Sequence, residues 1–214
     1  MKIEALHEFH NEQFAEEWSN KFSPTKDRIN LFQLILDNID IHKEQTKQVL
    51  ELGIGPGYLA EYILKRRNDI VYEGLDFSRP MLNIASKRLE SNKNEKRYTQ
   101  VDLTDSSWKN RIKTNPGTII STWALHDLLS KENIFNVYRV AYEVLPNQGK
   151  LINGDFIKPE ESKIEYEKGR IKPSEHIELL FKAGFADAQC IRKFEENVEN
   201  PTTSNNYACF IAIK

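Results

Sequence analysis

Glu51-Leu52-Gly53-Ile54-Gly55-Pro56-Gly57, followed at a distance by Asp76, are the residues whose types and spacing point most directly to chemistry. Glycines at alternate positions let a backbone turn tightly and approach a ligand with no Cβ in the way. A helix leaving such a turn offers free N–H groups at its start. Turns of this kind sit at the carboxyl ends of strands, where open α/β sheets bind ligands. Asp76 stands where the next strand ends, at the distance from which a carboxylate accepts hydrogen bonds from ribose hydroxyls. The chemistry is then that of holding a nucleoside. The plainer alternative is a structural glycine turn and an Asp that caps a helix. His126 is the best-placed candidate to move a proton, if the reaction needs a base. Its plainer role is to orient its own loop.

Two cofactor classes share this layout, and the glycine register separates them. Gly55-Pro56-Gly57-Tyr58-Leu59-Ala60 fits the dinucleotide string G-x-G-x-x-G/A, but begins two residues too late. Gly53 already occupies the strand end, and counted from there the string fails at Tyr58. Glu51, directly before the glycines, is no part of that fingerprint either. An NAD-dependent reductase is therefore the weaker reading.

The elements that must position these residues follow from periodicity and caps. Val49 to Leu52 reads as a buried strand, Tyr58 to Arg67 as a helix and Ile70 to Asp76 as a strand. Ser78 caps a helix through Leu89. Arg97 to Val101 and Thr118 to Thr122 read as strands. Ser130 caps a helix carrying Ile134, Val137, Tyr138, Ala141 and Leu145, and Lys150 to Phe156 is a fifth strand. The alternation predicts an α/β fold with a doubly wound, Rossmann-like, mostly parallel sheet. Ser174 caps a short helix through Ala183, ended by Gly184. Phe185 to Phe194 and Tyr207 to Ile213 have no helix between them, so they are expected to pair antiparallel at one edge. Lys158 to Pro173 lacks periodicity and is either a solvated connection or a lid. Ahead of the sheet, Glu4 to Asn20 is amphipathic, with Leu6, Phe9, Phe14 and Trp18 on its apolar side. Ser23 and Pro24 then open a second helix striped by Ile29, Phe32, Ile35, Leu36 and Ile39.

Composition excludes several classes. The 214 residues suit one domain, 1–214, with a helical cap over 1–46 and a core over 47–214. Hydrophobic residues at 39% and charged residues at 29% describe an ordinary globular chain. Thirty basic against 32 acidic side chains leave a formal charge of −2, which gives no bulk attraction to nucleic acid or an anionic membrane. No apolar run reaches a spanning length, and Met1-Lys2-Ile3-Glu4-Ala5 has no signal region. Cys190 and Cys209 are far apart and read as small buried residues of a reducing compartment. Neither a metal site nor a disulfide is expected, and the expected location is cytoplasmic.

Taken in order, these motifs resemble those of the class I S-adenosylmethionine-dependent methyltransferases. Glu51 to Gly57 is similar to the family's E/D-x-G-x-G-x-G. Asp76-Phe77-Ser78-Arg79-Pro80-Met81-Leu82 is similar to its second motif, and Gln100-Val101-Asp102-Leu103 to its third. Ser121-Thr122-Trp123-Ala124-Leu125-His126-Asp127-Leu128 is similar to S-x-x-A-L-H-H-L, and Leu145 to Leu151 to the turn that follows. The chain departs from the pattern at Gly117-Thr118, where an Asp is common, and at Asp127, where a second His is common. Both leave the acceptor side open.

The resemblance implies S-adenosylmethionine as cofactor. In it, Asp76 holds the ribose, the backbone at Gly53, Gly55 and Gly57 borders the methionine portion, and Glu51 orders groups around the amino end. Asp102 and the backbone of Leu103 meet the adenine, and Phe77 and Met81 pack on its face or simply fill the core. Ser121 and Thr122 lie at the mouth, near the reactive sulfur. Trp123, Tyr58 and Trp18 are aromatic candidates for the cationic sulfur or the acceptor, or else structural, and Asp127 is read as a solvated helix-start acid. Relatives that methylate nucleic-acid amino groups carry Asn/Asp-Pro-Pro-Tyr/Phe where this chain has Ser121-Thr122-Trp123-Ala124, which favours a small-molecule acceptor. A protein of this fold that binds the cofactor without catalysis is the competing expectation. Residues up to about Phe22 are expected either to fold over the cofactor or to pack on the back of the sheet.

Overall fold

The computed structural model describes residues 7–22, 24–39, 47–194 and 206–214. Seven strands form one sheet in the order β3-β2-β1-β4-β5-β7-β6. They are β1 (Gln48–Leu52), β2 (Val71–Asp76), β3 (Lys96–Gln100), β4 (Thr118–Thr122), β5 (Lys150–Phe156), β6 (Asp187–Phe194) and β7 (Tyr207–Ile213). The first five run parallel, while β7 pairs antiparallel with β5 and β6 antiparallel with β7. The order reverses beside β1 and β4, so their carboxyl ends open a crevice there. This is the Rossmann-like sheet with an antiparallel edge that the alternation of elements predicts.

Six helices flank the sheet: α1 (Glu12–Lys21), α2 (Lys26–Asn38), α3 (Tyr58–Leu64), α4 (Arg79–Arg88), α5 (Lys131–Val144) and α6 (Pro173–Ala183). Alternate residues of each strand feed opposite faces. Leu50 and Leu52 pack with Ile134, Val137, Leu179 and Leu180 of α5 and α6. Val49, Ile120 and Ile152 pack with Leu31, Ile35, Leu59 and Leu82 of α2, α3 and α4. At Gly154 an added Cβ would stand 2.7 Å from Leu31, so α2 lies directly on the end of β5.

Caps fall where small polar residues accept N–H groups. Ser78 and Ser130 accept from the N–H groups of Met81 and Asn133, at 3.2 and 3.0 Å. Two expected caps move. Ser23 lies outside the described residues, and α2 starts one turn position later, with Thr25 Oγ1 accepting from Arg28 N at 3.4 Å. Ser174 is the second residue of α6, whose cap is Lys172. Pro173, needing no donor, takes the first position, and Glu175 accepts the Lys172 N–H at 2.8 Å.

The segment between β5 and α6 is neither helix nor strand, yet it is not a solvated connection. Lys158 N donates to Ile171 O at 3.1 Å, and Arg170 is buried with its guanidinium 4.5 Å from the Phe156 ring centroid. Gly169 lies so close to the His126 carbonyl that an added Cβ would sit 1.6 Å from its oxygen. The expected single amphipathic stretch at the N-terminus is broken at Asn11. Its side chain accepts from Phe14 N at 2.9 Å, which separates a 3-10 turn at Glu8–His10 from α1. Leu6 lies outside the described residues. Among the described residues, no helix is long and apolar enough to cross a membrane.

Candidate functional site

Two adjoining cavities occupy the crevice and share Trp18, Gly53, Gly55 and Trp123 as walls. They enclose about 670 and 530 Å³ out to their mouths, within the range of small-molecule sites of about 300–1,000 Å³. Asp76, Phe77, Met81, Asp102, Leu103 and Asp127 line the first. Glu51, Tyr58, Thr122, Phe32 and Arg28 line the second.

β1 delivers the glycine turn into this space. Gly55 has φ +51, open to glycine without strain, and an added Cβ there meets nothing within 4 Å. The missing side chain leaves room at the junction of the two cavities. Gly57 is glycine for a different reason. It lies outside both cavities, caps α3 with φ +82, and presses against Ala85 of α4, 3.1 Å from where its Cβ would be.

Asp76 closes the turn from the neighbouring strand. Its Oδ2 accepts from Gly55 N at 2.8 Å and its Oδ1 from Ser78 N at 2.9 Å. Each carboxylate oxygen has a second lone pair, so the group retains acceptor capacity toward the cavity. Burial pushes its pKa up to about 6, against the pull of these backbone donors. Glu51 is more deeply placed. Burial raises it to about 8, opposed by the Tyr72 hydroxyl, which donates to its Oε2 at 2.6 Å. At neutral pH the protonated form therefore predominates. Asp102 lines the first cavity while its Oδ1 accepts from Thr104 N at 2.9 Å. A buried acid at a strand end, a glycine that leaves space and an apolar slot between Phe77, Met81 and Leu103 fit a nucleoside and its thioether arm.

The N-terminal segment forms the roof. Phe9 and Trp18 line the first cavity, with their rings edge-on at 5.3 Å between centroids. Ser78 Oγ donates to Phe9 O, and Tyr58 OH donates to Ser19 O at 2.7 Å. The segment thus lies over the crevice and not on the back of the sheet.

Two expected site residues are elsewhere. Ser121 is fully buried and its Oγ donates to Leu52 O at 2.9 Å, tying β4 to β1 outside both cavities. Thr122, next along the alternating strand, does reach the second cavity. His126 also lies behind the wall, in a 3-10 turn at Leu125–Leu128. Its backbone N–H donates to Asp155 Oδ2 at 3.0 Å, and its Nδ1 lies 2.7 Å from Asp155 Oδ1. Its Nε2 lies 3.2 Å from Asp127 Oδ1. Burial lowers the imidazole pKa, but the Asp155 carboxylate outweighs it and the net shift is upward. Asp127, expected as a solvated helix-start acid, instead faces the first cavity, and burial raises its carboxyl. Asp155 and Arg28 were not foreseen. A buried carboxylate in Leu151-Ile152-Asn153-Gly154-Asp155, otherwise an interior strand, was the available signal for the first. Nothing local marks the second.

Trp123 stands between the cavities with φ +47, a left-handed backbone that costs a bulky residue about 1–3 kcal/mol. Packing against Phe32 and Tyr207, at centroid distances of 5.7 Å each, holds it there.

Residues 49–149 match the family model of a methyltransferase domain. The uncharacterized methyltransferase YdaC of Bacillus subtilis (strain 168) is 43% identical over 42 residues, 20% of this chain and 23% of that protein. The fold is shared with a putative O-methyltransferase from Nostoc punctiforme PCC 73102, at a TM-score of 0.66 and 15% identity over 95% of this chain and 60% of that one. It is shared too with human N-acetylserotonin methyltransferase, solved in complex with SAM, at a TM-score of 0.63 and 16% identity over 95% of this chain and 55% of that one. The chain thus spans under a quarter of this curated relative and less than two thirds of these two solved chains.

Proposed function

We propose, on the premise that the chain belongs to the class I S-adenosylmethionine-dependent methyltransferases, that it transfers a methyl group from S-adenosylmethionine to a small-molecule acceptor. The observation that carries this reading is Asp76, a buried carboxylate at the end of β2 that faces the first cavity while gripping the glycine turn. There it accepts from ribose hydroxyls, with Asp102 and Leu103 at the adenine edge and Phe77 and Met81 on its face. Gly53, Gly55 and Glu51 border the amino-acid portion. The bound cofactor supplies a methyl group already activated by its sulfonium, so the protein has chiefly to align the acceptor and exclude water. Phe9 and Trp18 provide the exclusion.

The acceptor enters beside Asp127. His126 and Asp155 stand in line behind that carboxylate, so a proton leaving an acceptor hydroxyl has a polar path into the fold. His126 is then a positioning residue and not the group that touches the acceptor. The confined, apolar cavity supports a small acceptor, and the compartment we assign is the cytoplasm.

Calorimetry with S-adenosylhomocysteine and with NAD, beside turnover of a metabolite panel read as released S-adenosylhomocysteine, tests the reading. Binding of the first ligand with turnover supports it. Binding without turnover on any hydroxyl or amine acceptor would favour a non-catalytic binding protein, and tighter binding of NAD would overturn both.

A further inference from the structure

Arg28 is the one cation among the described residues lining either cavity. It stands at the third position of α2, where the helix start adds partial positive charge of its own. Its guanidinium lies 5.0 Å from the Trp123 ring centroid and 6.0 Å from that of Phe22, and among the described residues no carboxylate pairs with it. An arginine in the wall of a largely enclosed cavity, stacked on aromatic faces and without an acidic partner, leaves its donor edge for an occupant. The surroundings concentrate this preference. The only acid lining the same cavity is Glu51, whose carboxyl is engaged with Tyr72 and predominantly protonated at neutral pH. The other cavity is the reverse, lined by Asp76, Asp102 and Asp127 and by no cation.

We infer that Arg28 binds the carboxylate of the cofactor's amino-acid end, which lies in the cavity between α2 and the glycine turn. The inference rests on the reading of the crevice as an S-adenosylmethionine site. It fixes the direction of the ligand, with the nucleoside among the carboxylates and the amino acid beneath Arg28. It also makes α2 part of the binding site, although that helix precedes every motif in the chain. Recognition of a planar carboxylate by a planar guanidinium is two-pronged, so lysine is a poor replacement.

Calorimetry on the full chain tests it with three ligands: S-adenosylhomocysteine, its decarboxylated analogue, and 5′-methylthioadenosine, which lacks the whole amino-acid end. Arg28→Gln should weaken S-adenosylhomocysteine on the order of 10- to 100-fold, as expected for hydrogen bonds to a charged group. It should leave the other two within about twofold of the wild type, because the partner is already gone. Arg28→Lys should fall between. The wild type alone supplies a check that needs no variant: removing the carboxylate from the ligand should weaken binding by the same order as removing the guanidinium. Equal weakening of all three ligands would show that Arg28 serves only to hold Trp123 and α2, and would overturn the inference. So would an unchanged affinity for S-adenosylhomocysteine, or wild-type indifference to decarboxylation. If the wild type binds 5′-methylthioadenosine but gains nothing from the amino acid, the nucleoside site stands and Arg28 falls. If it binds none of the three, the parent reading falls.

Discussion

Asp76 has two tasks at once, and this changes what its removal should do. As a residue that merely ends a strand it would be dispensable to the fold, but it accepts from the N–H groups of both Gly55 and Ser78. Asp76→Ala should cost about 1.5–3 kcal/mol of S-adenosylhomocysteine affinity. It should also lower the melting temperature, because two backbone donors lose their acceptor. Calorimetry and thermal melts separate the two effects, and unchanged affinity in a folded variant would place the ribose elsewhere. Glu51 makes a different prediction. Its folded pKa of about 8 lies above the ordinary 4.5, so between those values the folded state keeps a proton that the unfolded chain has released. Stability must therefore fall as pH rises through that window and level off above it. The raised Asp76 contributes in the same direction only up to about 6. From pH 6.5 to 8 the wild type should lose melting temperature more steeply than Glu51→Gln. Parallel curves would show that Glu51 is ionised throughout. Both acids were legible in the sequence because their positions follow from strand ends. Arg28 was not, since a helix outside the motifs carries no local mark of what it faces.

At the scale of elements, the sequence was most informative where position follows from covalent neighbourhood. The strand-turn-helix of β1 and α3 and the caps at Ser78 and Ser130 could be read from spacing alone. The seam between segments distant in sequence could not. Asn11 reads equally as a helix residue or a break until its side chain is seen to accept from Phe14 N. Whether α1 covers the crevice or the back of the sheet depends on contacts such as Tyr58 to Ser19, 39 residues apart. A ten-residue helix with so much polar surface draws its stability from what it packs on. Here that includes the apolar rings that line the ligand cavity, so ligand and α1 should stabilise each other. Hydrogen exchange should show Phe9 to Phe22 gaining protection when S-adenosylhomocysteine is added. Equal protection with and without ligand would make α1 a permanent wall and not a lid.

The molecule as a whole divides its site across the reversal of strand order. The β1–β3 side, with α2 and α4, supplies Gly55, Asp76 and Arg28, all facing the cofactor's end of the crevice. The β4–β5 side supplies Asp127, His126 and Asp155, with the 157–172 segment pressed on the His126 carbonyl through Gly169. The first set belongs to binding and the second to the acceptor, so variants should sort by side. Asp155→Asn keeps the shape of the side chain but replaces the carboxylate that His126 faces at 2.7 Å, weakening the hold on the imidazole and on the turn that presents Asp127. Gly169→Ala forces a Cβ to within 1.6 Å of a backbone oxygen, so the segment must shift away from the turn, at about 1–3 kcal/mol of stability. Neither change touches a residue lining the second cavity or the Asp76 carboxylate. Both should therefore reduce single-turnover methyl transfer by tenfold or more while leaving S-adenosylhomocysteine affinity within about threefold, on the scale where 1.4 kcal/mol is a factor of ten. Arg28→Gln and Asp76→Ala should do the opposite, losing affinity first and recovering much of their turnover when the cofactor is saturating. If Asp155→Asn instead weakens S-adenosylhomocysteine as strongly as Asp76→Ala does, the two halves act as one cooperative unit and the division of labour across the sheet is wrong.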